Sequence, residues 1–164
     1  MKSLLPGFGA ALLFFLWKLI LFFSNQQHHI LAEFPAAPLM VFTFAAIAWV
    51  IIKYARTQQF SVIEAFKHGA RVGLIAAVFS SIFVFAYYAW IDTDFLEIIR
   101  IAKMQEAEKV FTGEELENFT RATNFFNSPR ARSLFTLSGM MIFAFLSALN
   151  LSLIARFTIV RKLS

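Results

Sequence analysis

Few residues in this chain are of types that could do chemistry, and they do not form a recognisable site. His28 and His29, with Glu33 nearby, include residue types that bind zinc. Adjacent histidines point to different sides of a helix or strand, and a full ligand set at workable spacing is missing, so we interpret them as solvated loop residues. His68, beside Lys67, is interpreted as an interfacial residue rather than a catalytic one.

The acidic residues Glu114, Glu115 and Glu117 could indicate calcium binding or acid–base catalysis. Their spacing is not that of an EF-hand, and carboxylates in the first turn of a helix are explained by the helix dipole. The chain has no cysteine, which excludes a disulfide, a thiol nucleophile and a thiolate metal site. It also lacks a glycine-rich phosphate loop, a serine nucleophile elbow and a zinc-protease motif. The sequence therefore predicts no catalytic residue, no metal site and no cofactor.

Lys18 differs from these residues because it is ionisable and lies deep inside an apolar run. A charge at the centre of a bilayer costs on the order of 3 kcal/mol, so Lys18 should have a partner. Counting residues along the apolar runs gives a candidate polar site with four acceptors at the depth of Lys18 and one just above it: Thr43, Tyr87, Tyr88 and Ser138, with Asp92 above. We favour a structural tie between Lys18 and Asp92. A site for an anionic lipid headgroup is the alternative.

The composition indicates a lipid environment for this candidate site. The chain has 164 residues, of which 59% are hydrophobic and 22 are phenylalanine, and a soluble domain of this size could not bury so much apolar surface. The net charge of +5 does not indicate nucleic-acid binding, because the basic residues flank apolar runs instead of forming a patch.

The apolar runs predict an all-α membrane protein, a single domain over residues 1–164 in which four transmembrane helices form a bundle. The predicted spans cover residues 4–23, 36–52, 71–91 and 134–155. A periplasmic amphipathic helical segment at residues 94–126 is predicted between the third and fourth spans, hinged at Thr112–Gly113. Asp92 or Asp94 is predicted to cap the first helix of this segment.

A stripe of small residues runs along the third span and predicts a close helix contact. Its members recur every fourth residue and so share one face: Gly69, Gly73, Ala77 and Ser81. Small residues let another helix backbone approach closely. We favour packing inside one bundle over a homodimer seam, because a four-helix protein must first pack itself.

The distribution of charge orients the chain. One side of the predicted membrane carries eight basic residues and one acid, whereas the other carries nine acids and six basic residues. Cytoplasmic loops carry the excess of lysine and arginine, so both termini are predicted to be cytoplasmic and the acidic segment external.

Two stretches around the third span resemble a known family. They are Ser-Val-Ile-Glu-Ala-Phe-Lys-His-Gly at 61–69, entering Gly-Leu-Ile-Ala-Ala at 73–77, and the exit Ile-Asp-Thr-Asp-Phe-Leu-Glu at 91–97. The sequence is similar to a bacterial membrane family catalogued as domain of unknown function 4199. The resemblance implies a multi-pass protein of the bacterial inner membrane, with no assigned activity and with a membrane glycosyltransferase as a suggested neighbour.

We therefore expect a non-enzymatic membrane protein that is an accessory or assembly partner of another membrane component, such as a lipid-linked glycosyltransferase. Its expected partners are membrane lipids and a membrane protein or further copies of itself, and nucleic acid is excluded. One alternative is a small transporter or lipid-handling protein that works as an oligomer. Another is an enzyme acting on a lipid headgroup.

Overall fold

The computed structural model describes residues 4–26, 37–56 and 60–158. Within these ranges the regular secondary structure is helical, which confirms the predicted all-α class. The elements are α1 (Leu4–Phe23), α2 (Ala37–Ala55), α3 (Val62–Ala86) with a π-helical turn at Tyr87–Ile91, α4 (Thr93–Ala107), α5 (Gly113–Phe126) and α6 (Pro129–Thr158).

Four of these helices are long and apolar enough to cross a membrane. They are α1 with 20 residues, α2 with 19, α3 with its π turn over 30, and α6 with 30. At 1.5 Å per residue the shortest spans roughly 28 Å, close to the thickness of the hydrocarbon core. Large apolar side chains face outward along them, for example Leu5, Ile142 and Phe157. The four predicted spans are thus confirmed in number, although α3 and α6 begin earlier than the spans themselves.

The chain divides into two compact units. The first, here called the bundle unit, comprises residues 1–80 and 136–164. Its buried core is built mainly from small and β-branched side chains: Ile47, Ile51, Ala55, Ala65, Val72, Ala144, Ala148 and Ala155. Short side chains allow the helix backbones to approach one another closely. In lipid, which is as apolar as the side chains, the hydrophobic effect does not drive helices together, so this close packing stabilises their association.

The second unit, here called the hairpin unit, comprises residues 81–135. It contains the end of α3, the π turn, α4, α5 and the start of α6. Between α4 and α5 the chain turns at Thr112, which is extended, and at Gly113, whose φ of +60° favours glycine. The rings of Phe111 and Phe119 stack across this turn with centroids 5.5 Å apart. The structure thus has two helices that meet at the predicted hinge.

Candidate functional site

Lys18 lies on the inward face of α1. The buried residues of this helix are Gly7, Ala10, Ala11, Phe14, Lys18 and Leu21. Only 9% of Lys18 is exposed, so its side chain belongs to the interior of the bundle unit and not to the lipid-facing surface. An ammonium group held there must be compensated by polar neighbours, because burying a charge is costly unless it is paired. The tie to Asp92 stays a prediction.

Lys18 and Thr43 are both buried in the bundle unit, but they lie at different depths. Gly7 of α1 meets the Val72 turn of α3, and Ile47 of α2 packs on Gly73 in that same turn. Lys18 lies eleven residues after Gly7 in α1, and Thr43 lies four residues before Ile47 in α2. Because α1 and α2 run in opposite directions, both residues lie on the same side of this shared level. The rise of 1.5 Å per residue separates them by about 10 Å in depth. The residue count that put them at one level took no account of how the helices are staggered.

Two fully buried hydroxyl groups in the bundle unit, Thr43 Oγ1 and Ser80 Oγ, have no hydrogen-bond partner. The buried Ser152, in contrast, donates to the Ala148 carbonyl oxygen one turn earlier at 2.7 Å. Leaving a buried hydroxyl without a partner costs about 1–3 kcal/mol. Ser80 did not emerge from the sequence. Its position four residues after Ala76, on the buried face of α3, could have indicated that it is buried.

The hairpin unit brings Tyr87, Tyr88 and Asp92 together. The Tyr87 hydroxyl donates to Asp92 Oδ2 at 3.0 Å, and both residues are buried. The Tyr87 and Tyr88 rings make an edge contact with centroids 5.1 Å apart. Tyr88 also stacks on Phe95 of α4, with centroids 5.7 Å apart. Three of the predicted polar-site residues are therefore neighbours around the end of α3.

The π turn creates this arrangement. The backbone N–H of Asp92 donates to the Tyr87 carbonyl oxygen at 2.9 Å, a bond over five residues that widens the last turn. The wider turn carries the Asp92 side chain back over Tyr87. Asp92 occupies the N-cap position of α4, one of the two positions predicted for the cap, but its side chain makes no capping hydrogen bond there. The carboxylate accepts the Tyr87 hydroxyl instead, so it fixes the junction between α3 and α4.

Ser138, the remaining residue of the candidate polar site, is exposed. Its side chain lies on the outer surface of α6, so it does not line an interior site of the bundle unit. The helical phase is the reason: Met140, Ala144 and Ala148 occupy the buried face of α6, and Ser138 is out of step with them.

The small-residue stripe of α3 packs inside the chain. A Cβ atom built at Gly73 would overlap the Ala144 methyl of α6 and come within 3.2 Å of Ile47 Cδ1. A Cβ built at Gly69 would lie 2.8 Å from Ile51 Cδ1 and 3.0 Å from Ala148 Cβ. Ala77 is fully buried. The stripe faces α2 and α6.

Ser81, the last member of the stripe, forms a hydrogen bond that the sequence pattern does not predict. Its hydroxyl lies 3.0 Å from the Ser133 hydroxyl of α6, and Ser133 Oγ donates to the Ser81 carbonyl oxygen at 2.9 Å. The pair joins α3 to α6 within the hairpin unit. A second missed contact is at Gly7, where an added Cβ would lie 2.5 Å from the Val72 carbonyl oxygen and so bars any side chain.

Among the described residues, three exposed ion pairs lie along single helices: Glu64–Lys67, Glu97–Arg100 and Glu117–Arg121. In α4 the Arg100 guanidinium donates to the Glu97 carboxylate at 2.5 and 2.7 Å. This hydrogen bond lowers the pKa of Glu97 and raises that of Arg100. Within the described residues no group of three or more histidine, cysteine or carboxylate side chains could hold a metal. His28, His29 and Glu33 lie outside the described residues.

These features define an all-α protein with four helices of membrane-spanning length, a tightly packed bundle unit and a polar hairpin unit. The chain belongs to the family described as protein of unknown function (DUF4199), which matches it over residues 6–156. The family resemblance identified from the sequence is confirmed. Searches of curated proteins and of solved structures gave no match.

Proposed function

We propose that this protein is a non-enzymatic accessory subunit that binds another membrane protein through the α4–α5 hairpin. The observation that carries the proposal is a groove of about 640 Å³ between these helices, outside the four spans. Its walls are largely apolar and include Ala107, Val110, Phe111, Phe119 and Phe126. Val110 is 74% exposed and Phe126 is 48% exposed, so the described residues leave hydrophobic side chains at the groove accessible.

The chemistry of the groove suits an amphipathic helix of a partner. Lys103 and Glu106 lie beside the apolar walls, and they offer one cation and one anion for charged residues flanking an apolar face. Helices recognised in grooves supply apolar anchors on one face, three or four residues apart. A lipid-linked glycosyltransferase is the partner to test first, because the family resemblance suggests one as a neighbour.

Orientation and location form part of the proposal. The excess of basic residues at the ends of the chain and between α2 and α3 supports cytoplasmic termini in a bacterial inner membrane, with the hairpin outside. A cysteine replacing Glu114 should react with an impermeant thiol reagent in spheroplasts, and one replacing Gln58 should not. The chain has no cysteine of its own, so each label reports one position. The reverse pattern would overturn the orientation.

Site-specific photo-crosslinking tests the binding proposal. A photoreactive residue at Val110 or Phe126 should give an adduct with one membrane protein, while the same residue at the exposed Glu114 should not. With that protein purified, Val110→Glu should abolish complex formation and Glu114→Gln should retain it. Adducts with lipid alone would show that the hairpin lies on the membrane surface. Adducts between copies of this chain would show a homo-oligomer, and either result would refute the accessory role.

A small transporter or lipid-handling protein is the second candidate function. The observation that favours it is the buried Lys18, together with the two hydroxyls of Thr43 and Ser80 that have no hydrogen-bond partner. Ionisable residues inside spanning helices commonly mark substrate pathways. Uptake assays in proteoliposomes separate the two candidates, because an accessory subunit transports nothing by itself.

A further inference from the structure

A second groove lies on the bundle unit, between α1 and α2, within the spanning segments. Its volume is about 360 Å³ and its lining is almost wholly apolar. The residues that border it on the two helices include Leu5, Gly9 and Leu13 on α1, and Phe42, Ala46 and Trp49 on α2. A Cβ atom at Gly9 would meet nothing within 4 Å, so the space above this glycine is open.

The dimensions of the groove fit a hydrocarbon chain. From Leu5 to Leu13 it follows α1 for eight residues, or about 12 Å. One leaflet of the hydrocarbon core is about 15 Å thick, so the groove accommodates most of the length of one acyl chain. Volume divided by length gives a cross-section of about 30 Å². A helix about 10 Å across has a cross-section of about 80 Å², which is too wide for this groove.

A cation stands at one end of the groove. Lys53 follows Trp49 by one turn, in the last turn of α2, and its ammonium lies 5.1 Å from the centre of the indole ring. Lysine and tryptophan at the end of a spanning helix lie at the level of the lipid headgroups. The ammonium can bind a phosphate oxygen there, while the groove leads from that point toward the middle of the membrane.

We propose that the α1–α2 groove is a phospholipid-binding site, with one acyl chain lying over Gly9 and the headgroup phosphate held by Lys53. The order of groups along the site is that of a phospholipid in its leaflet, with the phosphate at the surface and the chain pointing inward. This site is independent of the hairpin groove, because it lies in the other unit.

Native mass spectrometry of the full chain in detergent, titrated with palmitoyl-oleoyl phosphatidylglycerol, tests the proposal. Gly9→Leu fills the groove and should weaken binding of this lipid by about tenfold or more. Gly139→Leu is the matched control, since Gly139 also lies in a spanning helix with nothing within 4 Å of its Cβ, and it should bind as the parent does. Lys53→Gln should weaken binding severalfold, whereas Arg71→Gln, at another exposed cation, should not.

Equal affinities for Gly9→Leu and Gly139→Leu would overturn the proposal. Weakening by Lys53→Gln without weakening by Gly9→Leu would leave a headgroup contact and no acyl site, and so would overturn it too. A dimer that Gly9→Leu dissociates while the lipid stays bound would assign the groove to a second copy of the chain. Because Gly9 faces open space, Gly9→Leu should fold, and a thermal melt monitored by circular dichroism checks this.

Discussion

Replacing Gly73 by alanine tests a close contact between two helices of the bundle unit. The added methyl would overlap the methyl of Ala144, which is attached directly to the backbone of α6 and cannot move aside. Ile47 Cδ1, at 3.2 Å, occupies space on another side. One of the two spanning helices must therefore shift, although the change adds only one carbon atom.

The size of the effect follows from two opposing terms. Overpacking a close contact costs about 1–3 kcal/mol, and this contact belongs at the upper end because no flexible side-chain end can yield. Alanine is favoured over glycine within a helix by about 1 kcal/mol. Gly73→Ala should therefore destabilise the protein by about 2 kcal/mol. Gly139→Ala meets nothing, so it should stabilise by up to about 1 kcal/mol.

Unfolding with sodium dodecyl sulfate in mixed micelles, followed by far-ultraviolet circular dichroism, measures these differences. A second substitution sharpens the test, because Ala144→Gly removes the methyl that the new side chain meets. In the double variant the two effects should not add, and the coupling should approach the overpacking cost of about 3 kcal/mol. Strict additivity, or a Gly73→Ala variant as stable as Gly139→Ala, would refute the close approach of α3 and α6.

Two further substitutions test the buried polar groups. Thr43→Val keeps the shape of the side chain and removes a buried hydroxyl without a hydrogen-bond partner, so it should stabilise the protein by about 1 kcal/mol in the same assay. Ser152→Ala is the control, because it removes a hydroxyl that has a partner and should not stabilise the protein. A Thr43→Val variant less stable than the parent would mean that this hydroxyl is bonded. Tyr87→Phe removes the donor to the buried Asp92 carboxylate and should destabilise the protein by about 1–3 kcal/mol, and Asp92→Asn should have a smaller effect. Equal stability of Tyr87→Phe and the parent would show that the π turn does not depend on this hydrogen bond.

Much of the fold could be predicted because it depends on local composition. A run of about twenty apolar residues must become a helix in lipid, since the backbone can satisfy its polar groups only within the segment. That argument fixes the number of spans before any contact is known. The hinge at Thr112–Gly113 is equally local, because the conformation needed there is one that glycine adopts without strain.

Residue counting measures depth along an apolar run and ignores stagger and helical phase, so it could not give the arrangement of the candidate polar-site residues. Lys18 and Thr43 are both buried, yet the stagger of α1 and α2 separates them by about 10 Å. Ser138 lies on the exposed face of α6. The hydrogen bond from Tyr87 to Asp92 depends on a π turn, a deviation from the regular helix that the sequence pattern does not predict.

The amino-acid sequence was sufficient to predict a helical chain, four segments that can cross a membrane and the small residues that share a face. Each of these is a property of a single segment and its neighbours along the chain. Three contacts could be found only from the packed helices: Gly73 meets Ala144, Ser81 pairs with Ser133, and α1 and α2 leave a groove at Gly9. These features depend on how far one helix is shifted and rotated against another. Hydrophobicity alone is compatible with many such arrangements, and the close packing of the side-chain shapes selects one of them.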